Sequence, residues 1–266
     1  EECAKRKIIV CLYNMAIAYK EGRQNQKVDI KKFLFYVDQL IEENYIDAYG
    51  LKGVHLLENA KSKSDIQTGL LYCEKSKTVC TKNLILAYLF PEDLKFFSEL
   101  HPDKEKNKKT AIKLFHKLFK NIEKDDKDET SADENINFFA EMLYYPIYTK
   151  VLSKAEISIF LEKFKKIAVN DNKKYSRRYA NIAAHGLSDY YQLGYFEPKN
   201  IKKAIFYLEL AAYREDDYGA VNAAWLHYLS SNYETAKKLN NQVISSSNDP
   251  YLKLYAYNNN GVIDFD

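Results

Sequence analysis

One eight-residue pattern recurs six times along the chain and limits the fold more than any other feature. It reads DIKKFLFY at 29–36, DIQTGLLY at 65–72, NKKTAIKL at 107–114, SKAEISIF at 153–160, NIKKAIFY at 200–207 and NYETAKKL at 232–239. Each copy opens on Asp, Asn or Ser, side chains that accept a backbone N–H bond at a helix N-terminus. The pattern therefore predicts helix starts at Asp29, Asp65, Asn107, Ser153, Asn200 and Asn232. The fifth position is small in Gly69, Ala111, Ala204 and Ala236, with Phe33 and Ile157 as departures, and a large apolar or aromatic residue closes every copy. A small residue followed by a large one on the same helical face lets a neighbouring helix approach closely and then be gripped. Successive copies start 36, 42, 46, 47 and 32 residues apart, the range of two-helix repeats with variable loops.

A second helix type lies between these copies. Cys11, Met15 and Tyr19 form one example, with Gly22 following; Cys80, Leu84 and Tyr88 form another. Ala183, Leu187 and Tyr191 form a third, followed by Gly194, and Ala220, Ala224 and Tyr228 a fourth. The i, i+4, i+8 spacing puts each trio on one face. A glycine three residues past the tyrosine stands where a helix C-cap belongs.

Composition agrees with helices and excludes other classes. Apolar residues make up 46% of the 266, enough for a substantial core, while 8 glycines and 5 prolines are too few for a strand-and-turn protein. The net charge of +3 comes from interspersed lysines and acids. A nucleic-acid binder would show a basic stripe, and the short runs Lys5-Arg6-Lys7, Lys173-Lys174 and Arg177-Arg178 do not make one. No nucleic-acid partner is therefore expected. The longest apolar stretch, Ile8 to Tyr19, is interrupted by Asn14 and falls short of the ~20 residues that span a bilayer. The chain begins Glu1-Glu2-Cys3, as a processed or trimmed form would.

These motifs resemble the Sel1-like repeats, relatives of the tetratricopeptide repeat, whose pattern runs A-x3-L-G-x2-Y-x2-G and then D-x2-K-A-x2-W/Y. The best local match is LSDYYQLGYFEPKNIKKAIFYLELAAYREDDYGA at 187–220, and the likeness is weak over 91–150. The resemblance implies an all-α fold, a right-handed α-solenoid of about six two-helix repeats forming one domain over 1–266. The repeats would run over 9–45, 46–78, 79–122, 133–170, 175–215 and 218–247, with the tail of another helix at 1–8. Residues 123–134 (EKDDKDETSADE) read as a polar, acidic loop. Trp225 stands where the family has a small glycine, so the last helix pair is expected not to close in the usual way.

Four cysteines, at 3, 11, 73 and 80, form two pairs, each bracketing one tight inter-helix loop. A cysteine-rich secreted subgroup of the family staples helices with disulfides at this spacing, which implies Cys3–Cys11 and Cys73–Cys80 bridges and an oxidising compartment, periplasmic or extracellular. Buried thiols, with a cytoplasmic location, and a zinc site stay open as alternatives, although the pairs lack the usual zinc-ligand spacing.

The search for catalytic groups finds no phosphate-cradling glycine loop, no G-x-S-x-G and no metal-binding histidine pair. No cofactor or metal is expected, and an enzyme is not. The 23 tyrosines are the informative excess. Tyr19, Tyr36, Tyr72, Tyr88, Tyr191, Tyr207 and Tyr228 belong to the repeat, while Tyr13, Tyr144, Tyr145, Tyr148 and Tyr213 are expected to decorate a binding face. In tetratricopeptide arrays the first helix of each repeat lines a groove. By that register the groove would present Tyr13, Lys20, Lys82, Asn137, Glu141, Tyr144, His185, Asp189, Gln192 and Asn222. The expectation is a non-enzymatic module that binds one protein partner, favoured as a periplasmic immunity protein neutralising a secreted antibacterial effector. An adaptor or signalling scaffold, a secreted host-interacting factor, and a hydrolase of penicillin-type compounds are the alternatives.

Overall fold

The computed structural model describes residues 7–265 apart from 24, 77–78, 125–128 and 170–175. Cys3, Lys5, Arg6, Lys173, Lys174 and the centre of the acidic stretch lie outside the described residues. Every regular element among the described residues is helical. The chain divides into two compact units, residues 1–121 and 122–266.

The first unit contains α1 (Ile9–Glu21), α2 (Ile30–Glu42), α3 (Ile46–Glu58), α4 (Lys63–Lys75), α5 (Thr81–Leu89), α6 (Lys95–Leu100) and most of α7 (Lys104–Lys124). From α1 to α4 each helix packs on the next in the chain, as in a solenoid. Tyr19 stacks on Tyr36 with ring centroids 5.8 Å apart, and Lys32 Nζ sits 4.6 Å over the Tyr19 ring. Asp29 caps α2 by accepting from the Lys32 N–H at 3.1 Å, so one short motif starts the helix and aims its lysine at the preceding tyrosine.

Cys73, at the end of α4, is bonded to Cys80, just before α5, with their Cα atoms 5.2 Å apart. The bridge rests on a shelf of two glycines of α3. A Cβ on Gly53 would lie 2.7 Å from Cys73 Sγ, and Cys80 Sγ is 3.3 Å from the Gly50 carbonyl oxygen. Cys11 is also disulfide-bonded. Closing so short a loop is expected to stabilise the fold by ~2–3 kcal/mol through the unfolded state. Cys73→Ser with Cys80→Ser should lower the unfolding free energy from urea titration by that amount, with little change in the far-ultraviolet spectrum. Two alkylatable thiols at 73 and 80 in protein from its native source would contradict the bridge.

The second unit contains α8 (Glu129–Tyr144), α9 (Lys154–Ala168), α10 (Arg177–Leu193), α11 (Ile201–Tyr213), α12 (Asp217–Leu229), α13 (Tyr233–Ser246) and α14 (Pro250–Phe265). α10 packs on α8, α9 and α11, and from α11 to α14 each helix packs on the next. The tyrosine–lysine arrangement recurs: Tyr191 stacks on Tyr207 at 5.9 Å with Lys203 Nζ 4.7 Å over its ring, and Asn200 caps α11. Gly22 and Gly194 both adopt the left-handed C-cap conformation, φ 71° and 70°, as the motif predicts. Arg214 reaches from the end of α11 to donate to the Ala168 carbonyl at 2.6 Å, satisfying a terminal carbonyl of α9.

The fifth motif position is buried in every copy: Phe33, Ala111, Ile157, Ala204 and Ala236 expose 1% or less, and Gly69 faces Gly53 and Leu57. The predicted starts hold less uniformly. Asp29, Ser153 and Asn200 accept the capping bond; Asn232 holds the cap position, but its amide contacts His227 Nδ1 at 3.1 Å instead. Ser62, not Asp65, caps α4, and Asp65 lies one turn inside, accepting from the Lys61 N–H. α7 starts three residues before Asn107, whose buried amide donates to the His101 carbonyl at 2.7 Å. Two capping-type residues one turn apart compete for one role, and tertiary packing chooses between them.

Two further expectations are corrected. Residues 129–134, read as loop, are the opening turns of α8, and 123–124 end α7; Glu and Ala favour helix once a neighbour supports it. Trp225 does not hold the last pair apart. Its ring lies 5.2 Å from Tyr228 on the outer surface, and α12 and α13 close on each other.

Candidate functional site

α8 and α10 cross at two small residues. Gly186 of α10 meets Ala140 of α8 so closely that a Cβ on Gly186 would lie 2.9 Å from the Ala140 Cβ and 3.1 Å from Phe164 Cε1. Phe139 continues the packing inward, with its ring 6.2 Å from both Phe160 and Phe164. Larger side chains flank this contact on the outer side and leave a cleft of about 300 Å³ lined by Asn137, Ala140, Glu141, Tyr144, Tyr145 and Asp189.

Four of these lining residues, Asn137, Glu141, Tyr144 and Asp189, are groove positions that the repeat register predicts. Asn137, Glu141, Tyr144 and Tyr145 are exposed around the rim; Ala140 and Asp189 are half-buried beneath them. The Tyr144 and Tyr145 rings stand at 90° to each other with centroids 5.1 Å apart. No hydrogen bond or ion pair from the described residues reaches the Asp189 carboxylate. Burial pushes its pKa up from 3.8 to about 6, against a smaller lowering by His185. His185, one turn earlier on α10, turns to Asp216 at 3.4 Å. Burial works to raise Asp216, but the hydrogen bonds from His185 and the Gly219 N–H outweigh it and hold that carboxyl low.

Asp189 binds its proton more tightly when folded, so its contribution favours folding at acid pH and is lost as pH rises from about 4 through 6. Its net cost at neutral pH is ~2 kcal/mol once the solvent at the cleft mouth is allowed for. Asp189→Asn, beside His185 on α10 and facing Glu141, Tyr144 and Tyr145 from α8, should therefore raise stability by ~1–2 kcal/mol at pH 7.5 and by almost nothing at pH 4. Urea titrations of both proteins at the two pH values decide this; a destabilised variant at pH 7.5 would make Asp189 a structural residue.

The remaining predicted residues are not brought to this cleft. Gln192 and Asn222 are half-buried on α10 and α12 and do not line it, and His185 is engaged with Asp216. Tyr13, Lys20 and Lys82 belong to the first unit. Tyr13 does not point away from the core as expected: its ring packs edge-on to Tyr45 at 5.9 Å and onto the cluster around Leu12 and Leu51. Lys20 Nζ lies 5.9 Å over the Phe33 ring. Lys82 misses a second, more apolar cleft of about 160 Å³, whose lining includes Leu57, Glu58, Asn83, Leu86 and Phe90 between α3 and α5. Sequence reasoning missed that cleft by one residue. Tyr148, expected on a binding face, is buried, and burial raises its hydroxyl pKa to about 12. Tyr213 is 84% exposed and Tyr145 lines the cleft, as a decorating tyrosine would.

No metal-binding cluster of three or more His, Cys, Asp or Glu side chains occurs among the described residues, and no helix among them is long and apolar enough to cross a membrane. Compared with known proteins, the chain matches no family model, no curated protein and no solved structure.

Proposed function

We propose that this chain is a helical-repeat protein that binds one protein partner through the cleft between α8 and α10. One observation carries the reading: groove positions taken from two different helices of the repeat register converge on a single concavity, where tyrosines and polar groups stand together. Aromatic residues within a polar rim are the composition of a protein interface. The repeats are proposed to be Sel1-like, about six in number and right-handed. The six buried fifth positions and the recurring tyrosine–tyrosine–lysine arrangement support this. The Cys73–Cys80 bridge supports an oxidising compartment, periplasmic or extracellular. The narrower role of neutralising a toxic effector rests on the family resemblance alone.

A partner recovered by copurification from the native source supplies the test. Tyr144→Ala should leave the helical spectrum and melting temperature unchanged, because the ring is 47% exposed. It should weaken partner binding by ~2 kcal/mol, about thirtyfold, as loss of an interface anchor does. Unchanged affinity would move the site elsewhere.

A second reading is favoured by one observation. Asp189 holds its proton to about pH 6 opposite Glu141, and a carboxyl with a raised pKa beside another carboxyl is how hydrolases arrange a general acid. Turnover of a glycan or ester that disappears in Asp189→Asn would replace the binding role with this one.

A further inference from the structure

The two clefts differ in chemistry. That between α3 and α5 has a floor of Leu57, Leu86 and Phe90. That between α8 and α10 has two carboxylates and two tyrosine rings among its six lining residues and no basic side chain. Asp189 is half-buried there without a hydrogen-bond or ionic partner among the described residues, a costly state for a carboxylate. The nearest candidate, His185, is held by Asp216. A cation entering this cleft would meet Asp189 below, Glu141 at the rim and the rings of Tyr144 and Tyr145, whose faces attract cations. An anion would be repelled by both carboxylates, with only the Asn137 amide and the tyrosine hydroxyls to donate to it, and an apolar group would leave Asp189 unpaired.

We propose that the cleft between α8 and α10 receives a single basic side chain of the protein partner, an arginine or lysine, with Asp189 as its charge partner and Tyr144 and Tyr145 as its walls. The proposal rests on the reading of this cleft as the binding site and names the chemistry it selects. A planar guanidinium can stack on one ring while donating to the carboxylate, so arginine fits better than lysine. A bound cation offsets the desolvation cost of the Asp189 carboxylate by pairing with it. Residue 189 is thus worth keeping for recognition although it weakens the fold.

Side-chain analogues test this without the partner. n-Butylguanidinium, n-butylammonium and the neutral isostere n-butylurea are titrated into 15N-labelled protein at pH 7.5. Both cations should shift amides of residues 137–145 and 185–192 saturably in the millimolar range, the guanidinium more tightly, while n-butylurea leaves them unmoved. Asp189→Asn should weaken cation binding at least tenfold and Glu141→Gln two- to threefold, with the amide spectrum otherwise retained. Equal shifts from n-butylurea, or an undiminished cation response in Asp189→Asn, overturn the proposal. If the cations ignore the cleft while Tyr144→Ala still weakens the natural partner, the cation pocket falls and the binding site stands. If the partner also ignores Tyr144→Ala, both fall.

Discussion

Gly186→Val is expected to cost the second unit ~3 kcal/mol or more, enough to unfold a marginal domain at 37 °C. The new Cβ would lie 2.9 Å from Ala140 Cβ and 3.0 Å from Ala140 Cα, so the obstruction is largely backbone and no side-chain rotation relieves it. Phe164 Cε1, 3.1 Å away on the third helix, closes the remaining direction. α8 would have to move off α10, and the cleft beside the crossing would change shape with it. Thermal unfolding followed by circular dichroism should show a lower midpoint, and amide exchange should place the loosening in α8 and α10. A variant as stable as the parent would mean that the two helices do not cross at this point.

Phe164→Ala addresses the same junction from the opposite side. The ring is 1% exposed and packs against Phe139 and Gly186, so its removal leaves a cavity that rigid helices fill only in part. A loss of ~3–5 kcal/mol is expected in urea unfolding, with the slope unchanged if the unit still unfolds cooperatively. The two substitutions should not be additive. With Phe164 shortened, part of the obstruction at Gly186 disappears, so the double variant Gly186→Val/Phe164→Ala should be at least 1 kcal/mol more stable than the sum predicts. Strict additivity would show that the two residues do not share a contact, and a loss under 1 kcal/mol for Phe164→Ala would take the ring out of the core.

The helices and their inner faces were legible because they are written in short-range spacing. The fifth-position residues, the tyrosines Tyr19 and Tyr191 and the caps at Gly22 and Gly194 are fixed by i, i+3 and i+4 rules that do not depend on the rest of the molecule. The exposure of Asn137, Glu141 and Tyr144 follows the same spacing, which sets them off the inner face of α8, whereas Asp189 is half-buried beneath them. The misreadings each turn on a contact that the repeat spacing does not encode. Tyr13 is drawn inward by Tyr45, 32 positions away by subtraction of the residue numbers. Asn107 is withdrawn from capping by the His101 carbonyl, and Trp225 is made harmless by a free outer surface beside Tyr228. Lys82 stands one position before Asn83, which lines the α3–α5 cleft with Leu86. The unpaired state of Asp189 arises only when α8 covers α10 and His185 turns to Asp216.

Docking of the partner in the cleft between α8 and α10 would leave a hydrogen-exchange footprint on those two helices. With the copurified partner bound, exchange should slow over residues 137–145, at the C-terminal end of α8, and along α10 around Asp189, and Tyr144→Ala should weaken this protection at the same partner concentration. The outer face of α14, where Tyr251 and Phe265 are 81% and 93% exposed, should exchange as in the free protein. Protection confined to α14, or to the α3–α5 cleft of the first unit, with residues 137–145 unaffected, would contradict the account.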